Sequence, residues 1–302
     1  MGGTGANKCT DSHVNMLSEE QLPKWLAGKN ENYRKNDIPP KRRPFLALAE
    51  LSREFNTSIY LNSDLANKVF GWFTANTKPG AHAIGSLFTG IFYFDACFWP
   101  VFIPIGYGTF KLDALSSLET MPKEMKAQLQ QDQNEMRIYA LYWIDCVDFA
   151  YGLDDLRKNQ TISVLGKSFL ENGEREIESV ISQLSSTRPN TKAILTARMA
   201  VEIFLKSLLI TKGNKNEADI KKIGHDVSDA MSQCFTLTSV KEFFVLKSML
   251  GIFPDVSARY TGSEPPIRKV WEAYCIAQAT ATVVARILSG RDSRSKIGIV
   301  SK

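Results

Sequence analysis

Apolar residues recur at helical spacing along most of the chain, and the longest run lies between Thr191 and Ala230. Within it Ala197, Val201, Phe204 and Leu208 fall at i, i+4, i+7 and i+11, one face of a 3.6-residue repeat, and predict a long amphipathic helix. A polar turn follows, then a second helical stretch interrupted at Gly224-His225-Asp226. Gly224 is suited to ending one helix in a left-handed conformation, and Asp226 or Ser228 to capping the next. The same periodicity predicts helices over FLALAELSREF from Phe45 and over LANKVFGWFTAN behind a cap at Asn62-Ser63-Asp64, closed by a turn at Lys78-Pro79-Gly80. It continues through LDALSSLETM, the long run from Lys123 to Asn159, EREIESVISQL, SVKEFFVLKSMLGIF, and a last helix from Ile267 ended by Gly290.

One stretch breaks the helical period. FTGIFYF is β-prone, and WPVFIPIGYGTFKL carries prolines spaced as on an edge strand, so a strand pair or hairpin is expected there. Trp99, with Pro100 and Pro104, is read as a lid packed on the helices, an aromatic ligand pocket being the alternative. The apolar run 83–107 is long enough to cross about 30 Å of hydrocarbon if helical. Asp95 at its centre and the two prolines speak for a buried segment of a soluble protein, with no membrane partner.

These elements predict a mainly α protein: a C-terminal antiparallel helical bundle, with a small β hairpin or strand pair in the N-terminal half. The expected division is a flexible segment over 1–44, a mostly helical domain with a short β element over 45–165, the bundle over 174–290 and a mobile basic tail over 291–302. The break at QTISVLGKSFLENG marks the boundary between the halves. A short helix is possible at SEEQLPKWLAG. The basic run Arg34, Lys35, Lys41, Arg42 and Arg43 reads as a solvated linker, with phosphate contact as the sharper alternative.

Composition narrows the classes. With 302 residues, 44% hydrophobic and 23% charged, the chain has ample material for a core. A net charge of +5 permits a nucleic-acid partner without requiring one. The five cysteines, Cys9, Cys97, Cys146, Cys234 and Cys275, form no CxxC pair and read as reduced thiols of a cytoplasmic protein, without disulfide or zinc site. MGGTGANKCTDSHV lacks the apolar stretch of a secretory signal. Gly-rich phosphate loops, a nucleophile elbow, metal-ligand clusters and DNA-reading helix signatures are missing, so no cofactor or metal is expected.

Candidate chemistry gathers on the Thr191–Ala230 stretch. Arg198, Glu202 and Lys206 lie at i, i+4 and i+8, a row that is most simply an ion-pair ladder. His225 stands at a helix start; as a general base its only evident orienting acid is Asp226. Arg259 and Tyr260 form a loop pair able to reach back to either helix. Asp145 and Asp148, followed by Asp154 and Asp155, could suggest a carboxylate metal site, but no Glu-x-x-His pattern accompanies them, and helix-face charges are the plainer account.

The ordered set Ala200-x-Glu202-x-x-x-Lys206, Gly224-His225-Asp226 and Ala258-Arg259-Tyr260 resembles the HEPN domain family, over roughly residues 174–290. The resemblance implies an all-α bundle, often dimeric, whose members bind nucleotides beside a nucleotidyltransferase or act as metal-independent ribonucleases in toxin and antiphage systems. Nuclease members place an Arg shortly before the His. Here Lys221 and Lys222 stand there instead, and lysine lacks the bidentate fork of arginine. The resemblance therefore implies a non-catalytic module of a bacterial defence or toxin–antitoxin setting. It would bind a nucleotide, RNA or a partner protein through Arg198, Glu202, Lys206, Asp226, Arg259 and Tyr260, as a homodimer. The alternatives are a ribonuclease using His225 with Lys221, and a dimeric interaction scaffold.

Overall fold

Residues 17–61, 63–77, 85–106, 113–254 and 264–296 are described by a computed structural model, all but the side chain of Lys41. The chain divides into two units. One runs to Ser86 and takes in residues 106–108, and the other comprises the remainder from Leu87 onward. Each has its own core.

The first unit holds three helices, α1 (Gln21–Lys35), α2 (Arg43–Glu54) and α3 (Asp64–Asn76). Ser63 caps α3 by accepting from the Ala66 amide. Leu22, Leu26 and Tyr33 of α1 are buried against Leu48 and Leu51 of α2 and Val69 and Phe73 of α3. Over residues 17–44 this differs from the expected flexible segment: α1 runs farther than SEEQLPKWLAG and supplies a third of a core, while residues 1–16 of that expectation lie outside the described residues. Nor is the basic run a plain solvated linker. Arg34 pairs with Glu31 at 2.7 Å, and Arg43 donates to the Ile38 carbonyl and to Asn30.

The second unit begins with the predicted hairpin, β1 (Ser86–Phe94) paired with β2 (Cys97–Pro104). Its two-residue turn, Asp95-Ala96, has positive φ at both positions (50° and 59°), the backbone that matches the twist of the flanking strands. No helix among the described residues is long and apolar enough to cross a membrane, and the apolar run around Asp95 is this hairpin. Phe88, Ile91, Phe92, Val101 and Ile103 bury it in the helical core, and since Ile91 and Phe92 are consecutive, β1 is covered on both faces over 88–92. Trp99 donates its indole N–H to the Phe94 carbonyl across the hairpin.

Helices make up the rest: α4 (Lys123–Gln131), α5 (Gln133–Lys158), α6 (Val164–Leu184), α7 (Ala193–Thr211), α8 (Glu217–Ile223), α9 (Val227–Thr238), α10 (Glu242–Ser248), α11 (Ile267–Ser289) and α12 (Ser293–Lys296). The fold is thus mainly α with one small hairpin, as the pattern predicts. Three local expectations change. LDALSSLETM gives only a short 3-10 turn at Leu115–Ser117. The long run after Pro122 is two helices, because Asp132 caps a new one by accepting from the Asn134 and Glu135 amides, both at 3.0 Å. The break over QTISVLGKSFLENG shrinks to a few residues, since Ser163 caps α6 and the helix runs through Gly166 and Gly173.

Those glycines are close-approach points rather than breakers. A Cβ on Gly173 would lie 2.9 Å from the Phe204 ring, and one on Gly166 would lie 2.7 Å from Thr211 Oγ1, so α6 and α7 pack tightly only because both residues lack side chains. α7 is the central helix, with contacts to α6, α9 and α11, while α11 packs against both α5 and α7. The hairpin, α5 and the later helices share one continuous core, so the contacts do not divide the chain near residue 165.

Two buried polar features tie the second unit together. The Tyr142 hydroxyl accepts from the Ile91 amide at 3.0 Å and lies 2.9 Å from the Tyr274 hydroxyl, joining β1, α5 and α11. Burial pushes both phenols well above their ordinary pKa, so they are neutral hydrogen-bonding groups. At the other end, Asp148 Oδ1 and Oδ2 accept from the Ser293 amide at 3.0 and 3.1 Å, fixing α12 to α5. Arg291 pairs with Asp155. Through Lys296, therefore, the basic tail is anchored rather than mobile.

Candidate functional site

The site is built where α7 meets the junction of α8 and α9. Asn216 and Asp219 form a reciprocal capping box that starts α8, so the turn after α7 is fixed by its own side chains. Gly224 ends α8 at φ 61° and ψ −131°, a conformation reserved in practice for glycine and not the left-handed helical one expected. Asp226 then caps α9, accepting from the Asp229 amide at 2.9 Å.

Two cations of α7 grip the consecutive carbonyls exposed by this break. Lys206 Nζ donates to the Gly224 carbonyl at 2.6 Å, and an Arg198 terminal nitrogen donates to the His225 carbonyl at 2.8 Å. The C-terminal end of a helix presents unpaired carbonyls and partial negative charge, which is why cations settle there.

Glu202 lies between them. Its buried carboxylate takes Lys206 at 2.7 Å and stands 4.0 Å from Arg198. It also meets His225 Nδ1, at 3.0 Å from Oε1 and 3.2 Å from Oε2. The row is therefore more than a surface ladder: Glu202 and Lys206 are both buried, and a buried carboxylate and ammonium are tolerable because each has its partners. With Nδ1 turned to the carboxylate, Nε2 is the ring nitrogen left for another partner. The His225 side chain nevertheless keeps 82% of its surface.

Of the residues expected to act together, the structure assembles Arg198, Glu202, Lys206 and His225. Asp226 is a helix cap, and the acid that orients His225 is Glu202, 23 residues earlier in the chain. Lys221 points its charge at Glu217, 3.1 Å away on α8. Arg259 and Tyr260 lie outside the described residues. The Glu202–His225 contact had one possible signal, a semi-buried carboxylate in the middle of an apolar helix face; spacing alone could not reveal the partner.

Asp145 and Asp148 serve a different purpose from either sequence reading. Arg286 of α11 reaches Asp148 and Asp145, both at 2.7 Å, inside the protein. Among the described residues no cluster of His, Cys, Asp and Glu could hold a metal ion. Burial pushes the Cys146 and Cys275 thiols up and takes that of Cys234 up to about 12, which makes them poor nucleophiles. Comparison of the chain with family models, with curated proteins and with solved structures returns no match.

Proposed function

We propose that the junction of α7, α8 and α9 binds a phosphate-bearing ligand, a nucleotide or RNA, in a HEPN-like helical module that is not itself a catalyst. The observation that supports this reading is the His225 ring, oriented by a buried carboxylate yet presented almost wholly to solvent. A side chain with a purely packing role has no need of both. Arg198 beside it adds a cation. The HEPN resemblance adds a homodimer and a defence or toxin–antitoxin setting to the proposal.

The test is titration of the purified protein with nucleoside mono-, di- and triphosphates and short RNAs. Binding that disappears in His225→Ala and weakens in Arg198→Ala, with unfolding temperature unchanged in the first, is the expected result. Absence of binding to all of them ends the reading.

A second reading, a metal-independent ribonuclease, is favoured by one feature. The arginine missing just upstream of His225 in sequence is supplied in space by Arg198 from α7, next to an imidazole oriented by Glu202. Phosphodiester cleavage calls for such a pair, a proton-transferring imidazole and a cation for the developing charge. Incubation of total RNA with the protein in the presence of a chelator, wild type against His225→Ala, decides between them: equal and negligible cleavage removes the nuclease.

A further inference from the structure

Among the described residues, Glu176 of α6 is the carboxyl that burial pushes above its ordinary pKa with no cation beside it. Asp145, shifted the same way, has Arg286. A half-buried carboxylate without a donor is costly, and the cost falls when a ligand brings N–H groups to it.

The register of α6 on α7 fixes where Glu176 stands. Gln183 Nε2 donates to Thr196 Oγ1 at 3.1 Å, and Gly173 lies against the Phe204 ring, so the two helices run antiparallel and Glu176 is level with residues 201–203 of α7. Glu176 and Gln183 are i and i+7, two turns apart on one edge of α6. Thr196, Met199 and Ile203, at i, i+3 and i+7, form the facing edge of α7. Met199 keeps 37% of its surface and the other two are half-buried, so this edge is an open strip. Along its far side Glu202 and Lys206 hold the junction at Gly224 and His225. Glu176 and His225 thus flank one surface across α7, and a ligand touching both must cross a helix about 10 Å wide. A nucleotide with its phosphate at His225 and Arg198 would lay sugar and base over Met199 and Ile203 and bring the base edge to Glu176.

Acceptor chemistry selects the base. An ionised carboxylate only accepts, and its two oxygens suit two adjacent donors. Guanine presents such a pair, N1–H and the 2-amino group, on its pairing edge. Adenine and cytosine offer one amino group beside an acceptor, and uracil one N–H between two acceptors. We propose that Glu176 is the base-reading residue of the His225 site and selects guanine, from a free nucleotide or from an RNA strand. This rests on phosphate binding at His225.

The full chain is titrated with the 5′-monophosphates of guanosine, inosine, adenosine, cytidine and uridine, and with short RNAs that hold one guanine or none. Guanosine monophosphate should bind the wild type about tenfold more tightly than each of the others, the discrimination expected of a bidentate pair. Inosine keeps N1–H and lacks the amino group, so that comparison needs no variant. Glu176→Gln turns an N–H toward the base; it should bind guanosine and inosine monophosphates alike, about tenfold more weakly than the wild type binds the former. Its melting curve should not fall, since an unpaired half-buried charge has been removed. A guanine preference seen only among the RNAs supports the proposal and places the base in a strand. Equal binding of all bases, a preference for adenine, or a guanine preference that survives Glu176→Gln overturns it and leaves the phosphate site standing. Binding of no nucleotide and no RNA removes both.

Discussion

Arg286 near the end of α11 donates its Nε proton to Asp148 of α5 at 2.7 Å, across 138 positions of sequence. Asp148 keeps only 1% of its surface, so the guanidinium is what makes that carboxylate tolerable inside the protein. Arg286→Leu should cost about 3–5 kcal/mol in denaturant unfolding, the effect of leaving a buried charge without its partner. Arg291→Ala, whose partner Asp155 is exposed, should cost less than about 1 kcal/mol. Similar losses for the two would show that the Arg286 pair is not special.

Asp145 shares that arginine, but burial pushes its carboxyl above the ordinary range, against the pull of Arg286 and Arg294. The folded protein therefore holds this proton more tightly than the unfolded chain. The stability that this proton contributes is complete below the unfolded pKa of about 3.9 and is lost as pH rises through the folded value. Asp145→Asn keeps a hydrogen-bonding group and removes the titration, so its stability should decline less than the wild type's as pH rises from about 3.5. Chemical unfolding at a series of pH values checks this, and parallel curves would contradict it.

Gly224→Ala should destabilise by about 1–3 kcal/mol, because only the backbone objects. A Cβ there meets nothing within 4 Å, yet φ 61° with ψ −131° suits glycine alone. The Gly224 and His225 carbonyls are the ones held by Lys206 and Arg198, so the same variant should also weaken any nucleotide affinity of the wild type. Thermal unfolding and ligand titration on one preparation measure both.

Ala96→Gly should stabilise the protein by about 1 kcal/mol, by relieving a left-handed residue that carries a Cβ. Ala96 sits at φ 59° in the hairpin turn. A rise in the denaturation midpoint with unchanged slope is the expected reading.

Helices with a strong apolar period were legible from sequence. The α7 helix, the last helix with its Gly290 stop, and the hairpin with prolines at its edge all follow from pattern and local chemistry. What misled was meaning that depends on a distant partner. Gly166 and Gly173 read as a break, although their lack of a side chain is what admits Thr211 and Phe204. Asp132 read as one more polar residue in a long helix, until its side chain is seen to start a new one. At the candidate site, period placed Arg198, Glu202 and Lys206 on one line and the glycine marked the break. That Glu202 reaches across to His225 depends on how α8 and α9 fold back on α7, which no local pattern encodes.

The node of Ile91, Tyr142 and Tyr274 bears on how the chain folds as it is made. Its members come from a strand, a middle helix and the penultimate helix, and α11 fills the space between α5 and α7. Until residues near 274 have left the ribosome, the second unit has an open flank, and the Tyr142 hydroxyl that accepts from the Ile91 amide lacks its Tyr274 partner. The three N-terminal helices, closed on their own core, face no such wait. A chain that ends before α11 should therefore keep the three N-terminal helices folded while the rest stays open to protease, which limited proteolysis of the truncated protein checks.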